Sequence, residues 1–145
     1  MFLFIQEHWL PNHEAMSKFS TDFPNYVFIT TSSDMFMQTE DRILKQGATW
    51  HGTALAWPKH VDMLIVTLPI ISDRFCGIKY EGKCPESCIL AYTVYLPTAG
   101  RDDDFLEILS LLSHDLHLNM IENGMVILGM DSNQSKLSFK RRTEQ

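Results

Sequence analysis

Two stretches decide how this chain is read: Phe4-Ile5-Gln6-Glu7-His8-Trp9-Leu10 near its start and Val126-Ile127-Leu128-Gly129-Met130-Asp131-Ser132-Asn133 near its end. Each is an apolar run of strand type that stops at an acidic residue. A carboxylate at the C-terminal end of a buried strand is a common way to place a metal ligand at the mouth of a sheet. If the two strands are neighbours in one sheet and run parallel, Glu7, Asp131 and the Asn133 amide point into one cleft. That cleft would suit a hard cation and a phosphate. Alone, each stretch has a plainer reading: a solvated strand-end glutamate, and an Asx turn after a strand.

The stretch between them alternates between strand patterns and helix patterns. A strand over residues 2–6 is followed by Pro11, which suits the first turn of a short helix running towards Phe19. Tyr26-Val27-Phe28-Ile29-Thr30-Thr31 is aromatic and β-branched, hence a strand. Residues 32–51 are polar and irregular and read as a long surface loop or a disordered one. Four further strand patterns follow: Thr53-Ala54-Leu55-Ala56-Trp57, Met63-Leu64-Ile65-Val66-Thr67-Leu68, Arg74-Phe75-Cys76-Gly77-Ile78-Lys79-Tyr80 and Cys88-Ile89-Leu90-Ala91-Tyr92-Thr93-Val94-Tyr95-Leu96. Their short connections predict an antiparallel run. Asp102, Asp103 and Asp104 favour a helix start, and Phe105, Ile108, Leu109, Leu112 and Leu116 give that helix one apolar face. The pattern predicts a helix over 102–122, stopped near Asn123-Gly124, then a buried strand to Met130 and a polar tail.

The bulk numbers exclude some classes. A chain of 145 residues with 45% hydrophobic residues is one domain with a real core. Its formal net charge of −6 argues against a nucleic-acid binder held by a general basic field. An enzyme that holds phosphates locally through a metal ion is still allowed. The three cysteines, Cys76, Cys84 and Cys88, lack the spacing of a zinc knuckle or redox motif and read as buried or turn thiols. No apolar stretch reaches the roughly 18 residues that span a bilayer. The expectation is a soluble intracellular protein, nuclear or cytoplasmic, with no membrane and no obligate protein partner.

Taken in order, five motifs resemble the endonuclease/exonuclease/phosphatase superfamily. Gln6-Glu7 looks like its metal-binding strand end, and Gly52-Thr53-Ala54-Leu55-Ala56-Trp57 is similar to the glycine-led strand that follows. Ser72-Asp73-Arg74-Phe75-Cys76-Gly77-Ile78 resembles a segment of the endonucleases of non-LTR retrotransposons. Tyr95-Leu96-Pro97-Thr98 looks like the tyrosine-to-proline strand end, and Gly129 to Asn133 resembles the aspartate and asparagine motif. Gln6-Glu7-His8-Trp9-Leu10 also leans to the retrotransposon branch.

The resemblance implies an α/β fold, a partial four-layered sandwich of mixed β-sheets with outer helices, deoxyribonuclease-like and spanning 1–145. It implies a Mg²⁺- or Mn²⁺-dependent phosphodiesterase whose partner is the DNA phosphate backbone. Glu7 would hold the metal, Asp131 would orient or deprotonate the attacking water, and Asn133 would bond the scissile phosphate. Tyr95 would contact the phosphate through its hydroxyl, although a half-buried strand tyrosine explains it equally well. Arg101 would face a DNA backbone or stand solvated. His114 and His117, one helical turn apart, read as the polar edge of a helix rather than a zinc pair. Lys136, Lys140, Arg141 and Arg142 would track a backbone or simply be solvated.

The family also uses an asparagine on an earlier strand and a C-terminal Ser-Asp-His element. Here Ser72-Asp73 is followed by Arg74, and Ser113-His114-Asp115 has another order. The expectation is therefore an incomplete domain with exposed edges and apolar faces. The alternatives are a phosphatase or phosphodiesterase of the same fold, and a non-catalytic remnant.

Overall fold

The computed structural model describes residues 1–32, 35, 52–97 and 100–131. The expected loop over 32–51 and the tail from Ser132, Asn133 included, lie almost wholly outside the described residues. The elements are β1 (Leu3–Gln6), α1 (Asn12–Asp22), β2 (Tyr26–Thr31), β3 (Thr53–Pro58), β4 (Ile65–Thr67), β5 (Phe75–Tyr80), β6 (Ile89–Tyr95), α2 (Asp102–Asn119) and β7 (Met125–Asp131). Short 3-10 helices occupy Lys59–Leu64 and Pro85–Ser87.

The strands form two sheets, ordered β1-β3-β2 and β4-β5-β6-β7. The first is antiparallel throughout. In the second, β4, β5 and β6 are antiparallel and β6 pairs parallel with β7, with α2 as the crossover. This corrects two expectations. Leu3–Gln6 and Met125–Asp131 lie in separate sheets rather than side by side in one. The strand at residues 53–57 belongs with β1 and β2, not with the run that follows it. All five of its residues are buried, so it shows no alternation from which a sheet face or a partner could be read. The strand expected over 63–68 shrinks to Ile65–Thr67 because Pro58 turns the chain into the 3-10 helix, where Asp62 accepts the Trp57 indole N–H at 2.7 Å.

Side chains alternate cleanly between faces and stack the molecule in four layers. Leu3 and Ile5, Phe28, and Ala54 and Ala56 face α1 and pack on its Ala15 and Phe19. Their sequence neighbours, Phe2 and Phe4, Val27 and Ile29, and Leu55 and Trp57, turn inward. There they meet Cys76, Ile78, Ala91 and Ile127 of the second sheet. The outer face of that sheet, Phe75, Leu90, Tyr92 and Val94, is covered by Leu112 of α2 with Phe105, Ile108, Leu109 and Leu116 beside it. The order is thus helix, sheet, sheet, helix, as two-sided burial of each sheet demands. Burying each large core side chain contributes about 1.5–3 kcal/mol.

Both helices start as the sequence suggests, with small differences. Pro11 has extended backbone and stands just before α1 rather than in its first turn. In α2 the three aspartates occupy the first turn, but the helix ends at Asn119, and Asn123, with φ 63°, makes the turn into β7. Its Asp115 is only 7% exposed and accepts the Tyr92 hydroxyl at 2.5 Å. Burial, and then that hydrogen bond, push the Tyr92 hydroxyl pKa upward. β7 is not the buried strand its composition suggests. Met125, Val126, Leu128 and Met130 are 56%, 41%, 42% and 41% exposed. It is the outermost strand of its sheet among the described residues.

Candidate functional site

The space between the sheets changes character along its length. At one end the inward positions are Phe2, Trp57, Ile89 and their neighbours. Two or four residues further along the same strand faces, the inward positions are polar: Gln6 on β1, Thr31 on β2, Thr93 and Tyr95 on β6, and Asp131 on β7. Register brings them to one end. Gln6 and Thr31 both pair with Thr53 at the start of β3, Cys76 near the start of β5 pairs with Thr93, and Tyr95 pairs with Asp131.

These groups bridge the sheets. The Gln6 amide nitrogen donates to Thr93 Oγ1 at 3.0 Å and to the Gly129 carbonyl at 3.2 Å. Thr93 Oγ1 donates to the Ile5 carbonyl at 3.3 Å. Thr31 and Thr53 share a hydroxyl hydrogen bond at 2.7 Å, and Thr31 Oγ1 donates to the Asp73 carbonyl at 2.9 Å. No buried side-chain nitrogen or oxygen among the described residues lacks a partner. The polar end is therefore a satisfied network rather than a flaw in the core. Close approach requires Gly129, where a Cβ would stand 2.4 Å from the Phe4 ring.

Glu7 follows directly on β1 and is half-buried at this polar mouth. The Tyr95 hydroxyl donates to its Oε1. Since Thr93 meets Ile5 and Tyr95 meets Glu7, β1 runs in the same direction as β6 across the gap between the sheets. Asp131, the last residue of β7, lies beside Tyr95, and its carbonyl accepts the Leu96 N–H at 2.9 Å. The separation of β1 and β7 into two sheets therefore does not part their ends: they converge across the sandwich, with Tyr95 between them. Asn133 lies outside the described residues. Arg101 is exposed just before α2, 3.9 Å from Asp104 in a solvated ion pair.

The structure adds Arg74, to which the sequence reading assigned a place in a strand pattern and in the Ser72–Ile78 segment but no role at the site. Its guanidinium lies over the Tyr95 ring, 5.3 Å from the centroid, and its carbonyl accepts the Tyr95 N–H at 2.8 Å. Burial lowers its pKa from the usual value; Asp73 and Tyr95 act in the opposite sense and Arg101 lowers it further. It stays charged at neutral pH. No spacing rule marks it, because the contact joins a loop residue to a strand end across a β-ladder.

Carboxylate, phenol and guanidinium thus converge on one mouth. As a donor set, Glu7 and Asp131 supply hard carboxylate oxygens, the class that Mg²⁺ takes. Among the described residues no group of three His, Cys, Asp or Glu side chains is arranged to hold an ion. Mg²⁺ is usually held by one or two carboxylates and otherwise by water, so it does not require such a group. His114 and His117 are exposed on α2. Cys84 and Cys88 flank the 3-10 turn at Pro85–Ser87, and Cys76 is buried. No described helix is long and apolar enough to cross a membrane. No protein-family model and no curated protein matches the chain.

Proposed function

We infer that this chain carries the metal-binding part of a Mg²⁺-dependent phosphodiesterase site of the deoxyribonuclease-like fold, of the kind found in retrotransposon DNA endonucleases. The observation that supports this best is the meeting of Glu7, Tyr95 and Asp131 at the polar mouth of a two-sheet sandwich, with Arg74 against the Tyr95 ring. The motif order along the sequence points the same way.

Glu7 and Asp131 would hold the ion. When bound, it supplies positive charge against the negative charge that builds on a phosphate and its leaving oxygen. Asp131 would accept a proton from a water beside the phosphate. Tyr95 keeps the Glu7 carboxylate oriented and presents its hydroxyl at the same spot. Arg74 offers a fixed guanidinium to a phosphate oxyanion, whose geometry it matches in two hydrogen bonds. The chain contains no Ser-Asp-His sequence. A positioned acid or base contributes about 10²–10⁴-fold, and such groups act together, so turnover by this chain is expected to be slow or absent.

The test separates binding from turnover. Mn²⁺ binding, read by water-proton relaxation, should be lost in Glu7→Gln and weakened in Asp131→Asn. Supercoiled plasmid should be nicked little or not at all with Mg²⁺. Mn²⁺ binding that ignores both substitutions sinks the reading, and vigorous nicking would show that the missing histidine is dispensable.

A further inference from the structure

The Glu7 carboxylate is presented by a turn rather than by the strand. Both Glu7 and Trp9 have left-handed backbone, φ 55° and 56°. That conformation is uncommon for side chains of this size and persists only where the surroundings impose it. Between them stands His8, whose ring is tied at both nitrogens. The Leu10 N–H donates to Nδ1 at 3.1 Å, and Nε2 lies 2.9 Å from the Thr31 carbonyl oxygen. An amide can only donate and a carbonyl can only accept, so these partners assign the proton to Nε2.

The anchor is rigid. Thr31 ends β2, and its hydroxyl bonds both Thr53 and Asp73. Phe19 of α1 meets the imidazole edge-on, with centroids 5.6 Å apart. The remaining side is occupied by Gly52, with φ 117°, where a Cβ would fall 2.5 Å from the imidazole Cε1. The glycine before β3 and the histidine after Glu7, 44 residues apart by their numbers, are thus two halves of one contact.

We propose that His8 is the positioning residue for Glu7: its imidazole clamps the turn at residues 7–10 onto the end of β2 and so fixes the carboxylate for a divalent cation. This rests on the reading of Glu7 as a metal ligand. The ligand's neighbours, not only the ligand, set how well an ion is held. The clamp acts at one remove, through the backbone of the turn.

The experiment uses the 145-residue chain and three readouts. Long-range proton–nitrogen correlation should find the His8 ring protonated at Nε2. Hydrogen exchange should find the Leu10 amide protected. In His8→Ala that protection should vanish and Mn²⁺ affinity should fall by about 10-fold or more. In His8→Asn the amide oxygen can take the place of Nδ1, so Leu10 protection and most of the Mn²⁺ affinity should return. Leu112→Ala, destabilised from the opposite layer, should lower Tm and leave both readouts unchanged. Full Mn²⁺ affinity in His8→Ala, with binding lost in Glu7→Gln, overturns the role of His8 alone. A freely exchanging Leu10 amide in the parent chain overturns it as well. Binding unaffected by Glu7→Gln overturns the metal reading, and this inference with it.

Discussion

Among the described residues β1 and β7 are both outer strands; β7 ends in a carboxylate and β1 is followed by one, and the two are held in opposite ways. β1 is covered on both faces, by Ala15 and Phe19 of α1 on one side and by the second sheet on the other. It then hands Glu7 to a clamped turn. Among the described residues β7 is gripped from within, where Ile127 joins the inter-sheet core and Gly129 admits the Phe4 ring, while Val126, Leu128 and Met130 stand exposed on its other face. The difference shows which contacts matter for the site. The inner faces bring Glu7 and Asp131 together, and the outer face of β7 contributes little to their placement.

That contrast can be broken from the inside. Gly129→Val drives a side chain into the Phe4 ring, whose Cβ and ring root stand 2.4–2.6 Å from the new carbon and have little room to yield. Overpacking of this kind costs about 1–3 kcal/mol, and this case should fall at the upper end. Urea denaturation would measure it, and an unchanged midpoint would mean that the sheets do not meet as described. Gln6→Ala removes the bridge to Thr93 and Gly129 and leaves a partly buried carbonyl short of a donor. The expected loss is about 1–2 kcal/mol, read in the same way.

A third effect is absent at neutral pH and grows only in alkali. Burial pushes the Cys76 thiol from its ordinary 9.0 up to about 12. The folded state therefore keeps a proton that the unfolded state releases. Stability from this group is complete below pH 9 and is lost as pH rises towards 12. Thermal melts from pH 8 to 11 should show the parent chain losing more stability than Cys76→Ala; parallel curves would contradict the burial. The smallest effect belongs to the outer face: Leu128→Thr should change stability by no more than about 0.5 kcal/mol. It should, however, reduce self-association in sedimentation, because it makes an exposed strand edge more polar.

The sequence revealed the elements better than their partners. β5, β6 and α2 were legible because their patterns were unambiguous: strand-type runs beside turn residues, and apolar positions at spacings of three and four. The sheet that holds β3 was not, since five buried residues in a row carry no face. The exposure of β7 was not, because Met125-Val126-Ile127-Leu128 reads as apolar whether or not anything covers it. The residues of the candidate site were mostly visible as strand ends, yet their geometry was misjudged. The sequence suggested neighbours in a sheet, whereas contact runs across the sandwich. A signal for this was present: Gln6, Thr31, Thr93 and Asp131 are polar residues at inward positions, spaced by twos from apolar ones. Arg74 and the pairing of His8 with Gly52 depend on backbone angles and tertiary contacts that no local pattern encodes.

The hydrogen bonds that make the site join residues 87, 88 and 123 positions apart. By contrast, β6, α2 and β7 are consecutive and form one supersecondary unit. Closing long loops must precede any return from distant contacts, so such contacts tend to come late in folding. Refolding is expected to assemble β6, α2 and β7 first and to dock β1 afterwards. Substitutions at Leu112 should then slow folding, while those at Gln6 should mainly speed unfolding. On a ribosome the same topology has a sharper meaning: β1 can meet α1 and β3 early, but Gln6 and Glu7 must wait for Thr93, Tyr95 and Gly129 until those later strands have been synthesised.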